Sequence, residues 1–161
     1  MSSKEIQSVS SADGDSVVTQ IDVKVPPERV FKALIDQGEL VRWFTDAKNP
    51  HVWEMDARLG GHYRCFSDEK TAASTAFEFH GEIIEFDPPR RLAYTWIASW
   101  HADPSRRTVV RWELTGTATG THVKITHSGL ANEEAAHKDY QSGWPGAVKM
   151  LHSFVEREIS Q

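Results

Sequence analysis

Tryptophan and its aromatic neighbours are the residues of this sequence best suited to bind a molecule. The chain has six Trp among 161 residues. Trp96 and Trp112 share the inward faces of neighbouring predicted strands, whereas Trp43 and Trp144 lie on predicted helices. An indole offers a large apolar surface with one N–H, so these rings could line a pocket for a flat or apolar molecule. The alternative is that they fill an ordinary core.

His127 is the residue that could add acid–base chemistry. It ends the last predicted strand and, by alternation from Val123 and Ile125, points inward. A neutral imidazole there could bond a ligand carbonyl or act as a general base, although no acidic partner is identifiable. The alternative is a buried histidine paired within the protein. The histidines predicted to lie on the outward face, on the surface or in loops are His62, His80, His101 and His122.

Other chemistries have little support in the spacing of residues. His122 and His127 face opposite sides of one strand, and no His-Glu-x-x-His motif occurs, so we predict no metal and no cofactor. The single cysteine, Cys65, excludes an internal disulfide and is expected to be buried and inert. No Gly-x-Ser-x-Gly nucleophile motif occurs, and the segment 116–120 lacks the Lys-Ser/Thr pair of a phosphate loop.

Composition and charge narrow the class of protein. The chain is 39% hydrophobic and 25% charged, which is typical of one globular domain of this length. A net charge of −5 argues against a nucleic-acid partner. No apolar run approaches the roughly 18 residues that would span a bilayer, and the polar N-terminus does not resemble a secretory signal. We therefore expect a cytoplasmic domain with no membrane insertion; the oligomeric state stays open.

The first half of the chain predicts one strand followed by two short helices. Residues 1–15 are polar and predict a tail, or a short lead-in to the first strand, before a single domain over 16–161. Residues 17–25 alternate as in a half-buried strand. Pro27 suits the first position of a helix, and Asp36 with Glu39 indicates a capping box before a second helix. Residues 45–56 are expected to be irregular.

The second half predicts an antiparallel sheet and one long helix. Alternating segments separated by turns cover residues 59–66, 77–86, 92–100, 108–114 and 121–127. Asn132 is the expected N-cap of a terminal helix that reaches Ile159 and bends near Pro145. The order predicts an α+β fold in which a curved antiparallel sheet wraps around the long C-terminal helix. The space between them is where a ligand would bind.

Four stretches of the sequence, the last of them in two parts, together carry a resemblance to a known family. They are residues 26–34 with Leu40-Val41-Arg42-Trp43-Phe44, residues 56–64, residues 81–92 with Tyr94-Thr95-Trp96, residues 126–130 and Gly143-Trp144-Pro145-Gly146. The sequence resembles the START-like, helix-grip superfamily, often abbreviated SRPBCC. More narrowly, it is similar to the C-terminal domain of the activator of heat-shock protein 90 ATPase. The resemblance implies a helix-grip fold with a hydrophobic cavity between helix and sheet, in a family that includes carriers, cyclases and co-chaperone domains.

Three functions follow as hypotheses. The first is binding of a small apolar or aromatic molecule in that cavity, with no turnover. The second is a cyclase or hydrolase with His127 as a weak catalytic candidate, and the third is a co-chaperone-like module whose partner is a chaperone. The residues predicted to contact a ligand are Trp43, Phe79, Tyr94, Trp96, Trp112, His127 and Trp144.

Overall fold

The computed structural model describes residues 6–11, 13–45, 50–67 and 77–159, with side chains up to residue 157. The described strands are β1 (Gln7–Ser10), β2 (Val17–Val23), β3 (His51–Met55), β4 (His62–Ser67), β5 (Glu78–Asp87), β6 (Arg91–Ala98), β7 (Thr108–Gly116) and β8 (Thr121–Ser128). The helices are α1 (Pro27–Ile35), α2 (Gln37–Trp43) and α3 (Glu134–Ile159).

The strands form one antiparallel sheet that curves around α3. Its order is β1-β2-β8-β7-β6-β5-β4-β3, so β1 and β3 are the two edges of the sheet as described. The predicted α+β helix-grip architecture is confirmed, with two short helices between β2 and β3. The backbone of α3 makes close contacts mainly with β1 and β2. Over β5 and β6, large side chains fill the wider gap between helix and sheet.

Local signals at the start of the domain act as predicted. In β2 the side chains of Val17, Ile21 and Val23 are buried, because their alternation directs them toward α3. Pro27 opens α1, where its missing N–H removes no helical hydrogen bond. The Asp36 carboxylate accepts a bond of 3.2 Å from the backbone N–H of Glu39 and thereby caps α2.

Two edge strands lie where no strand was predicted. Residues 7–10, which the sequence assigned to a polar tail, pair with β2. The Ser8 hydroxyl bonds Thr19 Oγ1 and the Gln141 carbonyl, while Val9 is 61% exposed. The side chains that β1 directs inward are therefore polar, and its sequence does not alternate between apolar and polar residues. The predicted tail also includes residues 1–5 and 12, which lie outside the described residues.

The segment predicted to be irregular, residues 45–56, contains β3. Residues 46–49 of that segment lie outside the described residues. β3 pairs with β4, and Trp53 is its one fully buried side chain. With one buried residue in five, β3 shows no alternation of buried and exposed side chains. The strand therefore forms because it pairs with β4.

The start of α3 also differs from the prediction. Asn132 does not cap the helix, because its φ of +72° lies in the left-handed region, whereas an N-cap residue is extended. Asn132 instead belongs to a turn, and the helix begins at Glu134. The residue between them, Glu133, has another structural role, described below.

Candidate functional site

An aromatic cleft of about 380 Å³ lies between α3 and the β3–β6 half of the sheet, and it is open to solvent on one side. The residues that line it from the sheet are His51, Phe77, Phe79, Trp96 and Trp100. The residues that line it from the helices are Phe44, Tyr140, Gly143, Trp144 and Ala147. Eight of these ten side chains carry a ring. We call this site the aromatic cleft.

Strand alternation and helical spacing bring these rings together. Phe79 in β5 and Trp96 in β6 both point to the concave face, because every second residue of a strand faces the same side. On α3, Tyr140, Trp144 and Ala147 recur at steps of four and three and therefore share one face. The helix face and the sheet face meet at these positions.

Some ring pairs of the cleft are nearly parallel, some are nearly perpendicular, and others are tilted, such as Phe44 and Phe79 at 40°. Phe79 and Trp96 stack with centroids 3.9 Å apart and an angle of 13°. Phe77 continues this stack beside Phe79, at 6.3 Å and 21°. Trp100 meets Phe79 edge-on at 82°. The result is a stack of nearly parallel rings that Trp100 meets edge-on.

A hydrogen-bonded pair of rings closes one side of the cleft. The Trp96 indole donates to the Tyr140 hydroxyl at 3.0 Å, and the same oxygen lies 2.7 Å from His101 Nε2. Burial raises the pKa of the Tyr140 hydroxyl and lowers the pKa of the His101 imidazole. Both groups are therefore uncharged near neutral pH.

His101 corrects a prediction, since the sequence placed it on the surface or in a loop. It is only 3% exposed, because the connection from β6 to β7 folds back against the start of α3. Its Nδ1 atom is buried and has no hydrogen-bond partner among the described residues. A histidine outside any strand pattern has no periodic signal, so its burial could not be inferred from the chain.

Glu133 holds that connection in place. Its carboxylate accepts bonds from the backbone N–H groups of Ala102 at 2.7 Å and Asp103 at 2.9 Å, and from Arg106 Nε at 3.2 Å. Its side chain is 1% exposed. Burial alone raises the pKa of this carboxyl, but the two backbone bonds, the nearby His101 and the Arg106 bond together outweigh it, and the pKa is lowered. Glu133 thus fastens the segment that carries Trp100 to the first turn of α3.

His127 is fully buried, and both of its ring nitrogens are used within the protein. Nδ1 accepts from the Trp144 indole at 3.1 Å, and Nε2 lies 2.8 Å from the Thr108 hydroxyl, which donates to the Trp96 carbonyl. Burial lowers the pKa of His127 far below its usual range, and the neighbouring His101 lowers it further. Nδ1 must therefore be unprotonated and Nε2 protonated. Neither nitrogen faces the aromatic cleft.

The structure separates the predicted ligand-contacting residues into two groups. Phe79, Trp96 and Trp144 line the aromatic cleft. The remaining four lie outside its lining: Trp43, Tyr94, Trp112 and His127. Their contact with a ligand stays a prediction.

The indole groups outside the cleft are engaged elsewhere. Trp112 donates to the Tyr94 hydroxyl at 2.9 Å, and Trp43 donates to the Ala33 carbonyl at 2.8 Å. Trp43 borders a separate groove beside Gly146. The ring-bearing cleft residues that the sequence did not single out as ligand contacts are Phe44, His51, Phe77, Trp100 and Tyr140. For Tyr140 a signal existed, because it lies one helical turn before Trp144.

Within the described residues there is neither a cluster of metal ligands nor a helix that could span a membrane. No group of three or more His, Cys, Asp or Glu side chains among them is arranged to hold a metal ion. Within the same residues, no helix combines the length and apolar character needed to cross a membrane.

Comparisons with known proteins support the fold and its family. The family described as "Activator of Hsp90 ATPase homolog 1-like protein" matches residues 24–156. No curated protein matches the chain. Protein MLL2253 from Mesorhizobium loti is similar in structure, with 26% identity, a TM-score of 0.73, and coverage of 88% of this chain and 97% of that one.

Two further solved structures share the architecture. Protein CV1439 from Chromobacterium violaceum has 25% identity and a TM-score of 0.74, covering 88% of this chain and 98% of that one. A protein from Arthrobacter aurescens has 14% identity and a TM-score of 0.79, covering 94% of this chain and 91% of that one.

Proposed function

The chain belongs to the Activator of Hsp90 ATPase homolog 1-like family, and from that premise we propose that its aromatic cleft binds a small hydrophobic or aromatic molecule. The observation that carries the proposal is the cleft itself. Its volume of about 380 Å³ lies within the range of small-molecule sites, and rings form most of its lining. A guest that covers those rings removes apolar surface from water, which contributes roughly 25 cal/mol per Å² before the costs of association.

The shape of the cleft favours a flat guest. Phe79 and Trp96 form a stacked floor, and Trp100 stands nearly perpendicular to it at the solvent side. Trp100 is 40% exposed, so part of a large indole surface remains available at the opening. A planar molecule that lies parallel to one set of rings meets the edges of the other set, and both contacts are favourable.

Blocking the cleft from the helix tests this proposal. Gly143 lines the cleft, and a Cβ placed on it meets no atom within 4 Å. Gly143→Leu should therefore fold while its side chain occupies the cleft. The matched control is Gly146→Leu, since Gly146 lies on the same helix with equal space but borders the separate groove.

The readout is titration with N-phenyl-1-naphthylamine, an uncharged fluorescent probe. We expect its emission to rise with the unaltered protein and with Gly146→Leu, and to rise at least about tenfold less steeply with Gly143→Leu, a loss of about 1.4 kcal/mol or more. Circular dichroism confirms that each variant is folded. No rise with the unaltered protein, or an equal rise with Gly143→Leu, would contradict binding in the cleft.

The family description favours a second candidate, a co-chaperone-like interaction module. A partner chaperone would bind the outer surface, so Gly143→Leu should not weaken it. Co-sedimentation with a purified heat-shock protein 90 and measurement of its ATPase rate would test this candidate.

A cytoplasmic location is part of both proposals, and cell fractionation tests it. The cyclase or hydrolase alternative gains no support from His127, whose nitrogens both bond within the core.

A further inference from the structure

We infer that the aromatic cleft prefers a flat ring system that carries positive charge over the same ring system when neutral or negative. This inference rests on the proposed function, because it names the charge class of the molecule that occupies the same site. It comes from three observations about the cleft: the side chains present in its lining, the angles between its rings, and the direction of its indole N–H groups.

The described lining contains no Asp, Glu, Lys or Arg side chain. An anionic guest would therefore lose its hydration without meeting an ammonium or guanidinium group, and that loss is costly. A cation meets no carboxylate either, but it meets the faces of aromatic rings. Those faces carry partial negative charge, and they attract cations within about 6 Å of the ring centroid.

The rings of the lining pack against each other at steep angles. Phe79 and Trp100 meet at 82°, Phe44 and Trp144 at 73°, and Trp96 and Tyr140 at 87°. Trp100 is 40% exposed, so part of its ring surface remains available to a guest at the opening of the cleft. A delocalised positive charge that lies over this face is attracted by it, as in the aromatic sites that bind quaternary ammonium ligands.

Two indole donors that could bind an anion are directed away from the guest. The Trp96 indole N–H is bonded to Tyr140, and the Trp144 indole N–H is bonded to His127. These two rings therefore offer their carbon surfaces to the cleft and keep their N–H groups in the core. The net charge of −5 also favours a cation over an anion at long range.

A set of matched acridines tests the preference. They are 10-methylacridinium, neutral 9-methylacridine and acridine-9-carboxylate, titrated by calorimetry at about pH 8, where the first two keep their assigned charges. We expect 10-methylacridinium to bind about 3- to 30-fold more tightly than 9-methylacridine, which corresponds to the usual strength of cation–π contacts. Acridine-9-carboxylate should bind most weakly.

Two controls separate the rings from the overall charge. Repeating the titration in about 0.5 M NaCl screens the long-range attraction between the protein's net charge and the ligand. The tighter binding of 10-methylacridinium should persist under these conditions. Trp100→Leu removes a ring face but keeps an apolar side chain at the partly exposed edge of the cleft. This substitution should reduce the affinity for 10-methylacridinium more than the affinity for 9-methylacridine.

The outcomes distinguish this inference from the proposed function. If 9-methylacridine binds, is blocked by Gly143→Leu, and binds as tightly as 10-methylacridinium, the charge preference is wrong and the proposed function stands. If 10-methylacridinium binds equally well to Gly143→Leu, its site lies elsewhere and the inference is wrong. If neither the acridines nor N-phenyl-1-naphthylamine binds, the proposed function itself fails.

Discussion

The Trp144 indole of α3 donates a hydrogen bond to Nδ1 of His127 in β8, with 3.1 Å between the two nitrogens. Both side chains are buried. A polar contact in such surroundings has a strict geometry, because neither partner can turn to water instead. It therefore connects α3 to β8 at a residue, Trp144, that also lines the aromatic cleft.

The first prediction concerns this pair. Trp144→Phe removes the donor and leaves Nδ1 of His127 buried without a partner, which should cost about 1–3 kcal/mol beyond the loss of packing. His127→Leu removes the acceptor. In a double-mutant cycle followed by urea unfolding, the two changes should be coupled by about 1–2 kcal/mol. Effects that add within about 0.5 kcal/mol would show that the bond contributes nothing.

The second prediction concerns pH. Burial lowers the pKa of both His101 and His127. The unfolded chain therefore takes up protons near pH 6.5 that the folded protein does not, so the free energy of unfolding should fall as the pH is lowered below about 6.5. The slope is up to about 1.4 kcal/mol per pH unit for each histidine, until the folded-state pKa is reached.

Urea unfolding at a series of pH values measures this slope. His127→Gln removes one of the two buried imidazoles and should lower the slope between about pH 6.5 and 5.5. His62→Gln removes an imidazole at an exposed position of β4 and is measured in parallel as the control for the substitution itself. The Glu133 carboxyl does not interfere, because a lowered carboxyl pKa acts only below about pH 4.3. An identical slope in His127→Gln would contradict the prediction.

The third prediction concerns Glu133. Glu133→Gln keeps the size of the side chain but replaces one accepting oxygen by an NH₂ group that faces backbone donors. The free energy of unfolding, measured with urea, should fall by about 1–3 kcal/mol. Hydrogen exchange should accelerate at the amides of Ala102 and Asp103, since these donate to the carboxylate. Glu134→Gln, at an exposed position one residue later, serves as the control, and equal exchange in both variants would contradict the role of Glu133.

The fourth prediction compares two glycines. A Cβ on Gly81 would overlap the backbone carbonyl of Thr95, which also accepts a 2.7 Å bond from the Tyr63 hydroxyl. Backbone cannot rotate away, so Gly81→Ala should cost about 3 kcal/mol or more. Gly143→Ala meets no neighbouring atom and should stabilise the helix by about 0.5–1 kcal/mol. Thermal unfolding should show a lower melting temperature for Gly81→Ala and a higher one for Gly143→Ala than for the unaltered protein. A change in the same direction in both variants would contradict this prediction.

The sequence predicted the elements whose pattern is repeated over several residues. β2 and the strands from β5 to β8 alternate, and the Asp36 cap marks the start of α2. The strands that were missed, β1 and β3, have one or no deeply buried apolar side chain. Their pairing comes from neighbours distant in the chain, and local patterning carries no information about it.

The site was predicted only as a set of inward-facing rings. Trp96 and Trp112 both occupy inward positions of adjacent strands, yet only Trp96 lines the cleft. The difference depends on where α3 crosses the sheet, which is a tertiary property. Trp144 contacts both rings, with centroid distances of 5.5 Å to Trp96 and 6.0 Å to Trp112, so this contact alone does not separate them. Nothing in the order of residues distinguishes these two indoles.

The close approach of α3 to β1 and β2, but not to β5 and β6, makes the space between the layers a wedge that opens outward. A wedge limits how thick an inserted molecule can be, but it sets no limit on length. A compound held by one planar end can leave its remainder in water.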